Sequence, residues 1–210
     1  MPKLSLLTVE QLCFERDDCQ VFEPIDFTVD SGEIMQVEGP NGSGKTTLMR
    51  LLTTALQPAS GRIIYAGEPI AQCRYEYLSD ILYLGHQPAV KMTLTAEENL
   101  RWMATGCLDS ARDALSAVGL AGYDDVPCYN LSAGQQRRVA LARLFTTNAK
   151  LWFLDEPFTA IDKQGVSLLE NCLREHVKRG GGVVLSTHQD LAIDGVRKTS
   201  CVPHADQGAW

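Results

Sequence analysis

The period of the apolar positions changes along the chain, and the changes divide it into elements. Leu4–Glu10 and Ile25–Val29 are short, apolar or alternating, and bounded by polar turn residues, which predicts two strands of an antiparallel edge. Ile34–Glu38 predicts a strand that runs straight into Gly39, and Lys45–Leu56 predicts a helix that stops before the breaker set Gln57-Pro58-Ala59-Ser60-Gly61. Strands are expected at about 62–66 and 81–85, with a weak helix between them. After residue 131 the alternation resumes: helix 133–146, strand 151–154, helix 163–179, the triplet Gly180-Gly181-Gly182, and strand 183–186. Strands alternating with helices predict an α/β fold, a parallel sheet with crossover helices.

Residues 88–131 interrupt that rhythm. Thr95-Ala96-Glu97-Glu98 has the form of a capping box opening a helix with Leu100 and Met103 on one face, and Asp109 is placed to cap another running through Leu115 and Val118. The expected organisation is one domain over 1–210, in which 1–87 and 132–210 make the α/β core and 88–131 a helical subdomain. A chain of 210 residues that is 45% hydrophobic is long enough to bury such a core.

Composition narrows the function classes. With 19 Lys+Arg against 26 Asp+Glu the net charge is −7, which argues against a nucleic-acid-binding body, since a polyanion needs a basic face. No apolar run approaches the ~18 residues of a membrane helix, and the first residues lack the layout of a signal peptide, so a cytosolic location is expected. The seven cysteines, at 13, 19, 73, 107, 128, 172 and 201, form no C-x-x-C pair and no C-x-x-C-H, and read as reduced, mostly buried thiols. The histidines at 86, 176, 188 and 204 show no ligand spacing.

Two segments carry chemistry. Gly39-Pro40-Asn41-Gly42-Ser43-Gly44-Lys45-Thr46 is a complete G-x-x-x-x-G-K-[ST], with a strand before it and a helix after it. Its glycines let backbone N–H groups converge on phosphate oxygens, the helix N-terminus adds positive potential, Lys45 meets the β/γ-phosphates, and Thr46 reaches Mg²⁺; Thr47, next along the helix, belongs with the nucleotide-binding residues. In Leu151-Trp152-Phe153-Leu154-Asp155-Glu156-Pro157, four apolar residues bury a central strand and two carboxylates emerge at its C-terminal end, the edge where open α/β sheets bind ligands. Asp155 is then a candidate for holding Mg²⁺, and Glu156 for polarising an attacking water; paired acids at a strand end can also serve as a helix N-cap.

Between these segments stands Leu131-Ser132-Ala133-Gly134-Gln135. The order and spacing of the three resemble the nucleotide-binding domain of ABC transporters over nearly the whole chain. The resemblance implies ATP and Mg²⁺ as ligands and assigns further positions. Gln87 matches the loop glutamine that contacts Mg²⁺ and water and faces the membrane partner, Asp162 matches the loop that crosses to the opposite subunit, and His188 matches the histidine at the γ-phosphate. It implies a head-to-tail homodimer, with each ATP between Lys45 of one copy and Ser132 and Gly134 of the other. Ser132 opens the helix 133–146, and its hydroxyl with the free N–H groups makes an anion site. Arg137 and Arg138, continuing that surface, read as solvated or phosphate-field residues.

Three positions depart from the common pattern. Ala133 replaces a glycine of the usual signature, Ile161 in Thr159-Ala160-Ile161-Asp162 replaces a leucine, and Arg16 stands where an adenine-stacking aromatic often sits, leaving either Arg16 or Phe14 to face the base. Within the family, Leu84–Pro88, Leu94–Leu100, Leu131–Leu144 and Asp155–Asp162 resemble the ATP-binding subunits of bacterial cytochrome c maturation complexes. That narrower resemblance implies a peripheral protein on the cytoplasmic side of the inner membrane. It would work with an integral membrane permease and other cytochrome c maturation membrane proteins, powering haem export or release of a haem-loaded periplasmic chaperone. No haem binding by this chain and no nucleic-acid partner are expected. The alternatives are the ATPase of another small exporter, or a soluble ABC protein that remodels nucleic acid or ribosomes, although those relatives usually carry two fused cassettes or a long coiled-coil insertion.

Overall fold

The computed structural model describes residues 5–103, 111–159 and 161–204. Leu4, Cys107, Asp109 and Ala160, each singled out above, lie outside them. Five parallel strands form the central sheet in the order β11-β5-β10-β9-β8: β5 is Ile34–Glu38, β8 Ile81–Leu84, β9 Leu151–Asp155, β10 Gly182–Ser186 and β11 Arg197–Ser200. Every residue of β9 and β10 is buried, as the near-continuous apolar runs require of strands covered on both faces. Register decides where their ends fall. Ser186 pairs with Asp155 on one side and with Val37 on the other, so the segments leaving β5, β9 and β10 emerge side by side at one edge.

A second, antiparallel sheet in the order β4-β1-β6-β7 covers one face; β1 is Ser5–Cys13, β4 Ile25–Asp30, β6 Ser60–Tyr65 and β7 Glu68–Pro69. β1 bulges between Val9 and Leu12, with Gln11 at φ +48. Gly61 packs against that bulge at φ +85, and a Cβ there would lie 2.2 Å from the Gln11 carbonyl oxygen, so only glycine fits. Between the sheets lies one core, in which Leu7, Phe27, Leu151, Phe153 and Val184 meet Leu48 and Leu52 of helix α1 (Lys45–Leu52). The alternate residues Trp152, Leu154, Val183 and Leu185 face a second core built with helices α3 (Ala96–Met103), α4 (Ala111–Ala117), α5 (Ala133–Ala142) and α6 (Lys163–Lys178). Helix α2 (Arg74–Asp80) leads into β8.

Several elements differ from expectation. Helix α1 stops at Leu52 rather than Leu56, because Thr54 turns left-handed at φ +59 and the Ala55 and Leu56 amides both bond back to the Arg50 carbonyl. The segment predicted as helix 133–146 tightens after Ala142 into a 3₁₀ turn over Arg143–Phe145. Strand β11 was not expected, since Arg-Lys-Thr-Ser has no apolar alternation; it is an edge strand held by backbone pairing to β5. Nor was the hairpin of β2 (Glu15–Arg16) and β3 (Cys19–Gln20), whose turn residues Asp17 and Asp18 sit at φ +50 and +60. An Asp-Asp pair is a weak turn signal where Asn-Gly would have been a strong one.

The 88–131 segment contains α3, α4 and a 3₁₀ turn at Cys128–Asn130. The Thr95 capping box forms reciprocally, with Thr95 N–H donating to Glu98 (2.8 Å) and Glu98 N–H to Thr95 Oγ1 (3.1 Å). Asn99, fully buried one turn into α3, accepts from the Lys91 amide (2.7 Å) and donates to the carbonyls of Lys91, Leu94 and Thr95, pinning the loop that enters the helix.

Candidate active site

The phosphate loop 39–46 leaves β5 and enters α1. Its backbone is committed to glycine where the chain is tightest: a Cβ on Gly39 would lie 2.5 Å from both the Cys201 carbonyl oxygen and Ser43 Oγ. Lys45 folds back over the loop, its ammonium donating to the carbonyls of Gly39 (2.8 Å) and Pro40 (3.0 Å). The loop opens onto a cavity of about 800 Å³, lined by Asn41, Gly42, Gly44, Lys45, Thr46 and Thr47 on one side and by Asp155 and Glu156 on the other. That volume falls in the range of nucleotide-sized ligand sites.

At the back of the cavity Thr46 donates to Asp155 Oδ2 (2.8 Å), and Ser186 donates to Asp155 Oδ1 (2.8 Å). A hydroxyl and a carboxylate in contact are the hard oxygen donors that suit Mg²⁺. The sequence pattern did not single out Ser186; it is defined by register, as the β10 residue opposite Asp155. It also receives the Glu156 amide, at its carbonyl (3.1 Å) and at Oγ (3.0 Å). Glu156 is left-handed at φ +49, a conformation that costs a residue with a Cβ about 1–2 kcal/mol. The turn carries its carboxylate to His188, whose Nε2 lies 3.5 Å from Glu156 Oε1 and 3.0 Å from Asn41 Oδ1. The loops after β5, β9 and β10 thus converge on one spot.

Other expected positions stand further out. Gln87 is exposed and lines an adjoining cavity of about 500 Å³ that shares Thr46 and Asp155 with the first; His86, which drew no role from the sequence, lines both. Arg16 lines the main cavity from the β2–β3 hairpin with Asp17, Cys19 and Val21, whereas Phe14 packs against the core between the sheets.

The signature lies elsewhere. Ser132 caps α5 in a capping box with Gln135: Gln135 N–H donates to Ser132 Oγ (3.3 Å) and Ser132 N–H to Gln135 Oε1 (2.9 Å). Among the described residues lining the cavity, none comes from Leu131, Ser132, Ala133, Gly134 or Gln135. Asp162 caps α6, accepting from the Gly165 amide (2.9 Å) and from Arg138 (2.8 Å). The Gly165 N–H, with the Arg138 cation beside it, holds the Asp162 carboxyl below its ordinary range against a smaller opposing effect of desolvation.

Arg137 corrects the sequence reading. It is buried rather than solvated, and donates to the carbonyls of Gly85 (2.8 Å), His86 (3.1 Å) and Glu156 (2.9 Å), while Arg138 donates to the Val118 carbonyl and to Asp162. Charge alone cannot tell a solvated arginine from one that braces carbonyls. Of the six described cysteines five are buried and free; Cys19 is exposed.

The ABC transporter family model matches residues 22–159, which include the phosphate loop, the signature and the paired acids. The chain belongs to the ABC transporter family. Among curated relatives of this ABC ATPase, the cytochrome c biogenesis ATP-binding export protein CcmA of Pseudomonas putida KT2440 is 49% identical over 203 residues, covering 95% of each chain. A protein of Salmonella paratyphi A named CcmA 1 is 51% identical over 197 residues, covering 92% of this chain and 95% of the other. In fold it is similar to an ATP-binding protein of Pyrococcus furiosus assigned to an ABC transporter, with a TM-score of 0.80 and 30% identity over 93% of this chain and 96% of that one. No helix among the described residues is long and apolar enough to cross a membrane.

Proposed function

We propose that this ABC ATPase is the ATP-hydrolysing subunit of a cytochrome c maturation complex, working as a homodimer on the cytoplasmic face of the inner membrane with an integral membrane permease. The observation that carries hydrolysis is the Glu156 carboxylate at the mouth of the phosphate-loop cavity, with His188 at 3.5 Å and Asp155 and Thr46 behind it. The relatives' names, at about half identity over nearly the full length, support the assignment to cytochrome c maturation.

In this reading the Gly42–Thr47 amides and Lys45 bind the ATP phosphates, so the bonds from Lys45 to Gly39 and Pro40 exchange for phosphate oxygens. Mg²⁺, when bound, would neutralise charge on the phosphates; Thr46 and Asp155 would hold it directly or through water, with Gln87 in the cavity that shares those two residues. Glu156 orients water for in-line attack on the γ-phosphorus and accepts its proton, while His188, steadied by Asn41, donates to the γ-phosphate. Arg16 stacks on the base. The signature contributes no residue to the lining of the chain's own cavity, and that placement supports a second copy whose Ser132 and Gly134 close over the ATP, with Asp162 crossing the interface. The energy released drives haem export or the release of a haem-loaded periplasmic chaperone by the membrane subunits. Haem binding by the chain itself is no part of this reading, in line with a sequence that has no C-x-x-C-H and no paired ligand spacing.

Glu156→Gln tests the reading. The amide still hydrogen-bonds water but accepts no proton, so turnover is expected to fall by about 10²-fold or more while ATP binding persists and ATP-dependent dimers accumulate. Wild-type hydrolysis would refute the role of Glu156. Complementing a strain that lacks the gene with this variant, followed by haem staining, addresses the pathway: absent c-type cytochromes with intact b-type cytochromes are expected, and normal c-type cytochromes would refute the maturation role.

A further inference from the structure

Arg137 joins three segments that the reaction requires. It belongs to the first turns of α5, the helix that Ser132 opens. Its guanidinium spans the carbonyls of Gly85 and His86, the two residues before Gln87, and the carbonyl of Glu156. The residue is 3% exposed, so these bonds face little competition from water, and the planar fork with two bonding nitrogens matches carbonyls on two separate loops.

The Glu156 end is the consequential one. At φ +49 its backbone lies in the left-handed region, where a residue with a Cβ persists only when its surroundings hold it. The amide side of Glu156 is held by Ser186, and the carbonyl side by Arg137 (2.9 Å) together with the Thr159 amide (3.2 Å). Without Arg137 the Glu156 carbonyl keeps only the longer bond from the Thr159 amide, so less holds the strained turn that places the carboxylate beside His188.

We infer that Arg137 is a positioning residue for hydrolysis: it locks the Glu156 turn and the strand end before Gln87 to the signature helix, so that the three move as one unit. The inference rests on Glu156 being the base proposed above. It assigns the residue to the chemical step rather than to nucleotide binding, because none of its partners belongs to the phosphate loop. It also predicts that a displacement of α5, the helix that meets the partner's ATP, is felt at Glu156.

The test compares Arg137→Met, Arg137→Lys and Glu156→Gln in the full-length chain, measuring ATPase kcat and KM, ATP affinity at equilibrium, and thermal unfolding. Met retains much of the side-chain bulk but donates no hydrogen bond; a single Lys ammonium cannot bridge two loops as the fork does. Arg137→Met is expected to lower kcat about tenfold to hundredfold, the range for a misplaced catalytic group, with KM and ATP affinity within about threefold of wild type. Arg137→Lys should fall between Met and wild type in kcat at unchanged KM, and it carries the test alone if the Met variant does not fold. A wild-type kcat in either folded variant overturns the inference. So does a parallel loss of kcat and ATP affinity that tracks the fall in thermal stability, since a plain structural brace behaves that way. If Glu156→Gln turns over normally the base assignment fails; if it is inactive while Arg137→Met is fully active, only the role of Arg137 fails.

Discussion

Replacing Ser186 with Ala isolates one hydrogen bond at the heart of the site. The hydroxyl donates to Asp155 Oδ1 at 2.8 Å, and both residues are essentially fully buried. The Glu156 amide keeps its bond to the Ser186 carbonyl, so the substitution removes one charge-assisted bond and weakens one shared one. A hydrogen bond to a charged group contributes about 1.5–3 kcal/mol, and the carboxylate oxygen left without its donor sits where water replaces it poorly. For a chain of this size about 1 kcal/mol corresponds to 2–4 °C, so the melting temperature should drop by roughly 3–12 °C. Urea unfolding should show a lower midpoint at an unchanged slope, because the exposed surface is the same. Asp155 also loses the partner that fixes its rotamer opposite Thr46, so the Mg²⁺ concentration for half-maximal ATPase activity should rise. A stability change under about 0.5 kcal/mol, the level of an ordinary surface substitution, together with an unchanged Mg²⁺ dependence, would refute the claim that Ser186 positions Asp155.

Gly181→Ala should destabilise the chain by about 1–3 kcal/mol in urea unfolding, because the new Cβ would fall 2.2 Å from His176 Nε2, so the ring must give up its 3.6 Å stack on Trp152 or the backbone must shift; an unchanged urea midpoint would contradict the packing. Burial pushes His176 down to about 4, below its unfolded value of 6.5, so between those values the unfolded chain binds more protons and stability falls as pH drops through the window, by about 3 kcal/mol at most. His176→Phe, which keeps a ring on Trp152 and does not titrate, should flatten stability between pH 6.5 and 4, and an equally steep slope in that variant would assign the effect to other groups. Lys45→Ala should weaken ATP binding in the monomer, whereas Ser132→Arg should leave monomeric binding nearly intact and abolish hydrolysis. Mixing the two should restore part of the activity, and equal loss of monomeric binding in both would rule out sites shared between copies.

The α/β alternation, the phosphate loop, the paired acids, the Thr95 capping box and the 88–131 helices were legible in the chain because each is a local pattern. Period, caps and glycine spacing act within a few residues, and Leu151–Leu154 has to be a two-sided buried strand wherever it lies. The positions of His188 and Ser132 were also legible, but through resemblance, since a lone histidine or a serine N-cap carries no chemistry of its own. Tertiary structure decided the rest. β11 and the Asp17-Asp18 hairpin carry no local signal, because an edge strand held by backbone pairing needs no apolar period. Ser186 became an Asp155 ligand through strand register, which sequence spacing across 31 residues does not encode. Arg137 and Arg138 are neighbours of equal charge, yet one is buried on three carbonyls and the other pairs with Asp162 near the surface. The helix periodicity points the two side chains in different directions, but what each direction meets is set by loops that fold in from residues 85, 118, 156 and 162. Local sequence determines which elements form and which groups they carry; the packing of distant segments determines which of those groups are stripped of water and brought within bonding distance.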